Sequence, residues 1–424
     1  MHRDGNDPVG RDPRGGEYND KISGVSDGSR YNARYPGVVT QTASTETPAS
    51  TSRRRFLTGS AAAVGAGAAA AVGFPSIAVA QTTTLRFQST WPNQDIFHEF
   101  ASDYVRIVNE MSGGRLRLNL LPAGAVVGAL QLQDAVISGA LDGGHGVTAY
   151  WYGKHKAFSL FGTPPPFGWD AHQFLAWYWT GGGKELYAEL LEMLELPLVG
   201  YQTGPMPTQA LGWFKEPITS ADDLRGLKYR TVGLAADLMN EFGAAVTIMG
   251  GGDIVPAMDR GLLDGAEFNN PSSDRLLGFP DVSKTWMLRS YHQDCEAFEV
   301  MFNKRKHDEL PEEFQAILQY AAKAASSEMY WKAMERYPRD LNAMREEQGV
   351  RTYITPDSVL EAQLTAWDAV IERESSNEFF KKVVDHQRAY CERVVGYHLE
   401  HTTPKEPAYV HFYGKSPTDT STIL

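Results

Sequence analysis

The clearest grouping of chemically active side chains ends the sequence AMDRGLLDGAEFNNP at residues 257–271. This pattern predicts the end of a helix, a turn at Gly261 and a strand that begins at Gly265. Residues 267–270, a glutamate, a phenylalanine and two asparagines, would then lie at the carboxyl end of that strand. Ligands of open α/β sheets bind at such ends. The group could therefore hold a ligand, although a solvated loop would also account for it.

A related segment occurs earlier in the chain. The sequence AVISGALDGGH at 135–145 aligns without gaps with AMDRGLLDGAE at 257–267, and His145 then corresponds to Glu267. Two copies of a helix–turn–strand unit predict two α/β lobes of related build, with a ligand between their strand ends. The shared motif is short, so chance similarity is the alternative.

Signatures of catalysis are missing from the sequence beyond residue 80. It contains no G-x-S-x-G, H-E-x-x-H or C-x-x-C motif, and its histidines lack the spacing of metal ligands. The glycine runs at 181–183 and 250–252 lack the Lys-Ser/Thr ending of a phosphate-binding loop. What remains is a signal for binding, because a strand predicted at 226–230 ends in Arg230, a cation suited to an anionic ligand.

The composition is that of a globular protein with an acidic surface. The chain has 424 residues, of which 42% are hydrophobic and 22% charged, and a net charge of −12. Residues 1–80 contribute +2, so the remainder carries −14. This charge argues against nucleic acid and anionic lipid as partners. It does not exclude an anionic ligand held by one local arginine.

The first eighty residues differ from the rest. Residues 1–50 are rich in small and polar types, which predicts disorder; an extension upstream of the true start site is the alternative. Residues 51–80 contain Arg53 and Arg54 before a Phe-Leu pair and a short Ala/Gly/Val run, which is typical of a twin-arginine export signal. The apolar run is well short of the roughly 20 residues that span a membrane. We therefore expect export, with a mature chain that begins near Gln81.

The elements that would position the polar groups alternate along the chain. Strands at 85–88 and 116–120 flank a helix capped by Asp95, and a helix at 130–137 leads into the first repeat, an order that predicts a parallel sheet covered by helices. A single helix is expected at 172–194.

Three helices are predicted in the last third of the chain. The first runs from Pro311 to about Glu347 and is long enough to extend across both lobes, and two more follow at 357–375 and 377–399. The apolar faces of the last two would close the core or pair with another subunit.

Four short motifs give the chain a family resemblance: YWYGK from Tyr150, QALGWF from Gln209, GLKYRT around Arg230 and DGAEF at 264–268. In this order the chain resembles the periplasmic substrate-binding proteins of tripartite ATP-independent (TRAP) transporters, and in particular the branch that binds 2-oxo and 2-hydroxy acids. The resemblance extends from residue 83 to about residue 400.

The resemblance implies an α/β protein of two lobes, the architecture of periplasmic binding proteins, with a long helix across both. Residues 83–208 and 294–330 would form lobe I. Residues 209–293 and 331–400 would form lobe II and the C-terminal helices, and 401–424 a tail.

The resemblance also implies a binding site. Arg230 would hold the ligand carboxylate, for which its planar guanidinium is suited. Na⁺ or Ca²⁺ would lie beside it, held by Gln209, Glu267 and the main-chain carbonyl of Phe268, where the family usually has tryptophan. All-oxygen ligands suit these ions. Tyr150 and Asn270 are further candidates for ligand contacts.

One departure from the family bears on the cation. The branch often has His-Glu-Pro where this chain has His292, Gln293 and Asp294. Gln293 offers an amide oxygen in place of a carboxylate, which favours a monovalent ion.

The function expected from these residues is that of a periplasmic receptor. It would bind a small organic acid and deliver it to the membrane subunits of a TRAP transporter, without catalysis, and could dimerise through its C-terminal helices. Two alternatives stay open: a secreted enzyme that uses Glu267 as a base on an anionic substrate, and a binding protein of an ATP-driven importer.

Overall fold

The computed structural model describes residues 82–416, 418 and 421–423. The predicted disordered segment 1–50 and the predicted signal at 51–80 lie outside these residues. Within these residues the strands form two sheets. The strands are β1 (Thr83–Ser89), β2 (Leu116–Leu121), β3 (Gly143–Gly146), β4 (Leu198–Met206), β5 (Gly212–Phe214), β6 (Lys228–Arg230), β7 (Ala245–Thr247), β8 (Gly265–Ala266), β9 (Thr285–Leu288), β10 (Glu296–Asn303), β11 (Arg351–Ile354) and β12 (Thr422–Ile423).

The first sheet has five strands in the order β2-β1-β3-β10-β4. Strands β1, β2 and β3 are parallel, as the alternating strand and helix pattern predicted, whereas β10 runs antiparallel to both β3 and β4. Every residue of β10 is buried. A strand that is covered on both faces is typical of a sheet between helical layers.

The second sheet has seven strands in the order β12-β11-β9-β5-β8-β6-β7. The predicted strand of the second repeat is β8, and it is only two residues long. It lies parallel to β6, with Tyr229 opposite Gly265 and Arg230 opposite Ala266. A shift of one residue in this pairing would turn each side chain to the other face, so the register determines which groups reach the strand ends together.

The helices cover both sheets. They are α1 (Ile96–Met111), α2 (Leu132–Ile137), α3 (Ala171–Thr180), α4 (Gly183–Met193), α5 (Leu234–Glu241), α6 (Gly251–Asp259), α7 (Pro271–Leu277), α8 (Phe279–Val282), α9 (Lys304–Asp308), α10 (Glu312–Glu346), α11 (Asp357–Glu374), α12 (Glu378–His401) and α13 (Lys405–Tyr413). Among the residues that the structure describes, none of these helices combines the length and the apolar character that a bilayer crossing requires.

The predicted long helix is α10, and it contacts β4 of the first sheet and α7, the helix that follows β8 of the second. On the side of the first sheet, the Thr203 hydroxyl in β4 donates to the Ala322 carbonyl at 2.7 Å. On the side of the second, the Ser272 hydroxyl in α7 donates to Asp340 at 2.6 Å. The helix therefore joins the two sheets, and the fold is the predicted α/β arrangement with two lobes.

One local prediction was wrong. The single helix expected at 172–194 is divided into α3 and α4, because Gly182 adopts φ of +99°, which only glycine accommodates without strain. The segment 401–424, which has no clear pattern in the sequence, contains α13 and β12.

The chain passes between the two sheets at defined places. Strands β1–β4 and β10 form the first sheet, and the segment 207–211 leads from β4 to β5 in the second. Strand β12 joins the second sheet from the predicted tail. The exact lobe boundaries stay a prediction.

Glu299 is an unusual residue for the middle of β10, because it is an acid with no exposed surface. The indole N–H of Trp151 donates to its Oε2 at 3.0 Å, and the Tyr187 hydroxyl contacts Oε1. Burial raises the pKa of Glu299 from 4.5 to about 7, against the lowering effect of the two hydrogen bonds. The folded protein therefore favours the neutral form.

Replacing this acid should change how stability depends on pH. The raised pKa stabilises the fold fully below pH 4.5, and this contribution is lost as the pH rises through 7. Glu299→Gln keeps a hydrogen-bonding side chain that cannot ionise. We expect the free energy of unfolding of Glu299→Gln, measured with urea, to increase relative to that of the wild type by about 2–3 kcal/mol from pH 5 to pH 8. The exposed Glu361→Gln is the control, and a pH-independent difference would refute the assignment.

Candidate functional site

Short strands bring the two charged residues of the site together. Arg230 is the last residue of β6, and its partner in the parallel ladder is Ala266, the last residue of β8. Both strands end at the same edge of the sheet, so Glu267, the next residue after β8, lies beside Arg230. The main-chain N–H of Glu267 donates to the Arg230 carbonyl at 3.3 Å.

Arg230 and Glu267 form a buried ion pair, with each side chain only 1% exposed. Nη1 of Arg230 donates to Oε1 of Glu267 at 3.0 Å and to the Glu267 carbonyl at 2.9 Å. Nε and Nη2 donate to the Met249 carbonyl at 3.1 and 2.8 Å. Four of the five guanidinium N–H groups are thus used. A bidentate contact with a ligand carboxylate would require one of these bonds to give way.

A second buried carboxylate, Glu296, was not predicted from the sequence. The side-chain amides of Gln209 and Asn269 both donate to its Oε2 at 2.6 Å. Glu296 is the first residue of β10 and is 4% exposed. The sequence did contain a signal for Glu296, because it and Glu299 are acids within a strand of mostly apolar residues. An acid buried in such a strand requires a specific partner or role.

Gln209, Arg230, Asn269 and Glu296 line a small cavity, and Glu267 is not among its lining residues. About 230 Å³ of empty space lies between its walls, but only about 10 Å³ can take the centre of a water molecule, which corresponds to about one water. An organic acid therefore requires the walls to move apart. The lining residues are Trp91, Phe97, Val147, Tyr150, Gln209, Arg230, Val232, Phe268, Asn269 and Glu296.

The site contains more acids than cations. Arg230 is the only lysine or arginine among the described residues whose side chain is buried. Burial raises the pKa of Glu267 to about 7, although Arg230 lowers it, and raises that of Glu296 to about 8, with repulsion from Glu267 adding to the shift. Asp95 and Asp274 nearby also have pKa values of about 7 because of burial. A further positive charge would favour the ionised forms.

Several oxygens in this region have no hydrogen-bond partner. Oε1 of Gln209, Oε2 of Glu267 and Oε1 of Gln293 are buried and unpaired, and no described residue donates to the main-chain carbonyl of Phe268. In residues 82–416 no three His, Cys, Asp or Glu side chains are placed to hold a metal. A cation here would depend on amide, carbonyl and single carboxylate oxygens, the donors that fit Na⁺ or Ca²⁺.

The other predicted site residues lie at different distances from the cavity. Tyr150 lines it. Gln293 is held next to it, because its carbonyl accepts from the Gln209 N–H at 3.1 Å. The side chain of Asn270 caps α7, accepting from Ser273 N–H at 2.9 Å, and does not line the cavity. The direct ligand contact expected of Asn270 stays a prediction.

Both repeated segments reach this site, as the internal repeat suggested. His145, the residue that corresponds to Glu267, lies in β3 and accepts from the indole N–H of Trp91 at 2.9 Å. Burial lowers the pKa of His145 to about 3, so the ring is neutral. The first repeat thus positions an aromatic wall of the cavity, and the second places Glu267 against Arg230.

Comparison with known proteins identifies the family. The profile of the bacterial extracellular solute-binding protein family 7 (DctP) matches residues 87–380. The chain belongs to this family. The predicted resemblance to TRAP solute-binding proteins is therefore confirmed.

Among curated proteins, this DctP family member is similar to the monocarboxylate 2-oxoacid-binding periplasmic protein of Nostoc sp. The two are 30% identical over 321 residues, which cover 73% of this chain and 84% of the relative.

Solved structures share the fold of this DctP family member. A TRAP transporter solute-binding protein from Bordetella bronchiseptica, a dimer with calcium and picolinate, has a TM-score of 0.73 at 25% identity, covering 78% of this chain and 97% of the other. One from Pseudoalteromonas atlantica, with sodium and pyruvate, has a TM-score of 0.72 at 28% identity, covering 78% and 100%. The two-lobed fold is thereby confirmed, and the relatives from Nostoc sp. and Pseudoalteromonas atlantica are named as periplasmic binding proteins.

Breaking the buried ion pair should destabilise the protein. Removing one partner of such a pair leaves an uncompensated charge and costs roughly 3–5 kcal/mol. We expect Arg230→Met to lower the free energy of unfolding by that amount at pH 8, and Arg230→Met/Glu267→Gln, which removes both charges, to recover most of it. Urea unfolding measures both values. Equal stability of the single and double variants would contradict a direct pairing.

Proposed function

We propose that this chain is a periplasmic solute receptor for a small organic acid, a 2-oxo or 2-hydroxy monocarboxylate, bound together with Na⁺ or Ca²⁺. It delivers the acid to the membrane subunits of a TRAP transporter and does not transform it. The observation that carries the proposal is the buried pair of Arg230 and Glu267 beside a closed cavity. The named ligands of the relatives support it, because pyruvate and picolinate are small carboxylates found with sodium or calcium.

Arg230 is the residue that attracts and orients the acid. Its remaining N–H on Nη2, and any released from the Met249 carbonyl, would donate to the ligand carboxylate. Tyr150 and the indole of Trp91 line the same cavity and exclude water from its walls, which strengthens the interaction between the charges. The small volume of the cavity favours ligands of few atoms.

The cation would be held by Gln209, Glu267 and the carbonyl of Phe268, with Gln293 as a further oxygen donor. Its positive charge would offset the repulsion between Glu267 and an anionic ligand. The unpaired buried oxygens of these residues support this assignment, since an unpaired buried polar atom is costly.

The proposed location is the periplasm, reached by the twin-arginine pathway through the signal predicted at 51–80. The periplasmic location of the relatives supports the first part. An acidic protein of this kind has no expected affinity for nucleic acid.

The cation assignment predicts linked binding. After chelation and dialysis the mature protein should bind pyruvate weakly, and Na⁺ or Ca²⁺ should raise the affinity at least about tenfold, or 1.4 kcal/mol. Glu267→Gln should lose most of this increase in affinity. Titration calorimetry measures the affinity of each variant for pyruvate. Mass spectrometry of the bound ligand should recover the acid unchanged.

The matched control for this experiment is Glu299→Gln. It alters a buried acid that does not line the cavity and whose two oxygens are contacted by Trp151 and Tyr187, so its binding should keep the response to cations. Affinity of the wild type that is indifferent to both ions would remove the cation from the site, and a transformed acid would favour an enzyme.

The C-terminal helices support the further proposal of a homodimer. Large apolar side chains near the end of α12 and on α13 are exposed, among them Leu399 at 80% and Phe412 at 77%, and such clusters mark interaction surfaces. A second copy is the occupant that we propose, because the relative from Bordetella bronchiseptica is a dimer.

Light scattering tests this surface. The wild type should have the mass of a dimer at tens of micromolar, and Leu399→Ser/Phe412→Ser that of a monomer. Trp331→Ser, which alters an exposed aromatic residue on α10, should leave the mass unchanged. A monomeric wild type would refute the dimer.

A further inference from the structure

Among the residues that the structure describes, Glu296 is the only acid in the wall of the central cavity. Its Oε2 accepts from the side-chain amides of Gln209 and Asn269, each at 2.6 Å. The described residues offer no hydrogen-bond partner to its Oε1, which, unlike Oε2 of Glu267, is not completely enclosed by protein. The two amides therefore fix this carboxylate with one oxygen left for an occupant of the cavity.

Glu296 also lies next to the groups proposed to hold the cation. Its hydrogen bond to Nε2 of Gln209 fixes that amide, whose Oε1 is buried and unpaired. Burial raises the pKa of Glu296, and repulsion from Glu267 adds to this rise, so the two carboxylates lie within electrostatic reach of one another. A cation between them would remove this repulsion.

The charges of the closed site do not balance with a monovalent ion. Arg230 is the only buried lysine or arginine among the described residues, and His292 is neutral because burial lowers its pKa. With a monocarboxylate bound, the ligand and the two glutamates bring three negative charges against this one positive charge. A divalent ion compensates the two that remain, whereas Na⁺ leaves one uncompensated, and a buried charge without a partner is costly.

Two further acids do not change the sign of this imbalance. Asp95 and Asp274 are buried near the site but do not line the cavity. Asp95 accepts from the Ser273 hydroxyl at 2.6 Å, and Asp274 from the indole N–H of Trp213 at 2.8 Å. If either is ionised, it adds to the negative side and increases the preference for a divalent ion.

We propose that Glu296 is the second carboxylate of the cation site and makes that site select Ca²⁺ over Na⁺. This inference rests on the proposed function, which leaves the choice of ion open. Gln293 considered alone favours a monovalent ion. The carboxylate that is missing at position 293 is, however, supplied three residues later in the chain.

The oxygens around the site are sufficient for Ca²⁺. Those of the protein are Oε1 of Glu296, Oε1 of Gln209, Oε2 of Glu267 and the main-chain carbonyl of Phe268. The carboxylate and oxo oxygens of a 2-oxo acid would complete about six ligands, the smallest number that Ca²⁺ usually takes. The Ca²⁺ affinity of such sites depends on how many of the ligands are charged, which is the property that Glu296 changes.

The experiment measures ion binding with and without the acid. The mature protein is freed of ions by chelation and dialysis, and Tb³⁺, which takes the oxygen ligands of Ca²⁺, is added alone and excited through tryptophan. Trp91→Phe, which removes the tryptophan of the cavity wall, should lower this emission and so place the ion in the central site. Competition by Ca²⁺ and by Na⁺, at constant ionic strength, gives a Kd for each ion, and calorimetry gives the affinity for pyruvate in each ion.

The wild type should bind pyruvate at least about tenfold more tightly with Ca²⁺ than with Na⁺. Glu296→Gln, which keeps an acceptor but removes the charge, should lower the ratio of Ca²⁺ to Na⁺ affinity at least about tenfold. Glu296→Gln/Gln293→Glu, which returns a carboxylate to the neighbouring position, should recover most of this ratio. Glu299→Gln, which removes a buried acid outside the cavity, should leave it unchanged.

Three results would overturn the role of Glu296. The wild type could bind pyruvate equally well with either ion, Glu296→Gln could weaken both ions to the same extent, or the double variant could fail to recover the preference for Ca²⁺. The second of these would show a structural role without ion selection. Failure of the proposed function is a different result, in which wild-type protein binds no pyruvate or binds it with an affinity that neither ion changes.

Discussion

A single buried guanidinium lies beside a group of buried acids at the centre of this protein. Arg230 is the only buried lysine or arginine among the described residues, and it pairs directly with Glu267 alone. Glu296 depends instead on two amides. Since transferring charges out of water is expensive, the surrounding structure must hold these few partners accurately. The two-residue strand β8 does so by fixing the register of Glu267 against Arg230.

The same contacts connect the two sheets. Glu296 begins β10 of the first sheet, whereas Asn269 follows β8 of the second, so their hydrogen bond at 2.6 Å joins the lobes across the cavity. The Ser273 hydroxyl in α7 likewise donates at 2.6 Å to Asp95, the cap of α1. An acid can enter only when such contacts separate, because the closed cavity has room for about one water. Binding and closure are thus coupled through hydrogen bonds of the site itself.

The predictions from sequence were most accurate where a charged or polar residue lies at the end of a recognisable strand or within a recognisable motif. Arg230 and Glu267 could be assigned to one ligand site because each lies at the end of a recognisable strand, and Gln209 because its motif belongs to a known family. The direct ion pair of Arg230 and Glu267 was not predicted. Glu296 was missed because its partners come from segments 27 and 87 residues away, a proximity that no local pattern encodes. The break between α3 and α4 depends on the backbone conformation of Gly182. The role of Asn270 as a helix cap depends on α7, which was not predicted.

We propose that an acid and a cation are held together between Arg230 and Glu267. A crystal structure of the mature chain grown with pyruvate and Ca²⁺, with anomalous data to locate the calcium, tests it most directly. The account predicts one calcium peak bounded by Oε1 of Gln209 and Oε2 of Glu267, and a pyruvate carboxylate in contact with Arg230. A pyruvate bound away from Arg230, or a central site that holds the acid while Oε2 of Glu267 contacts no cation, would contradict it.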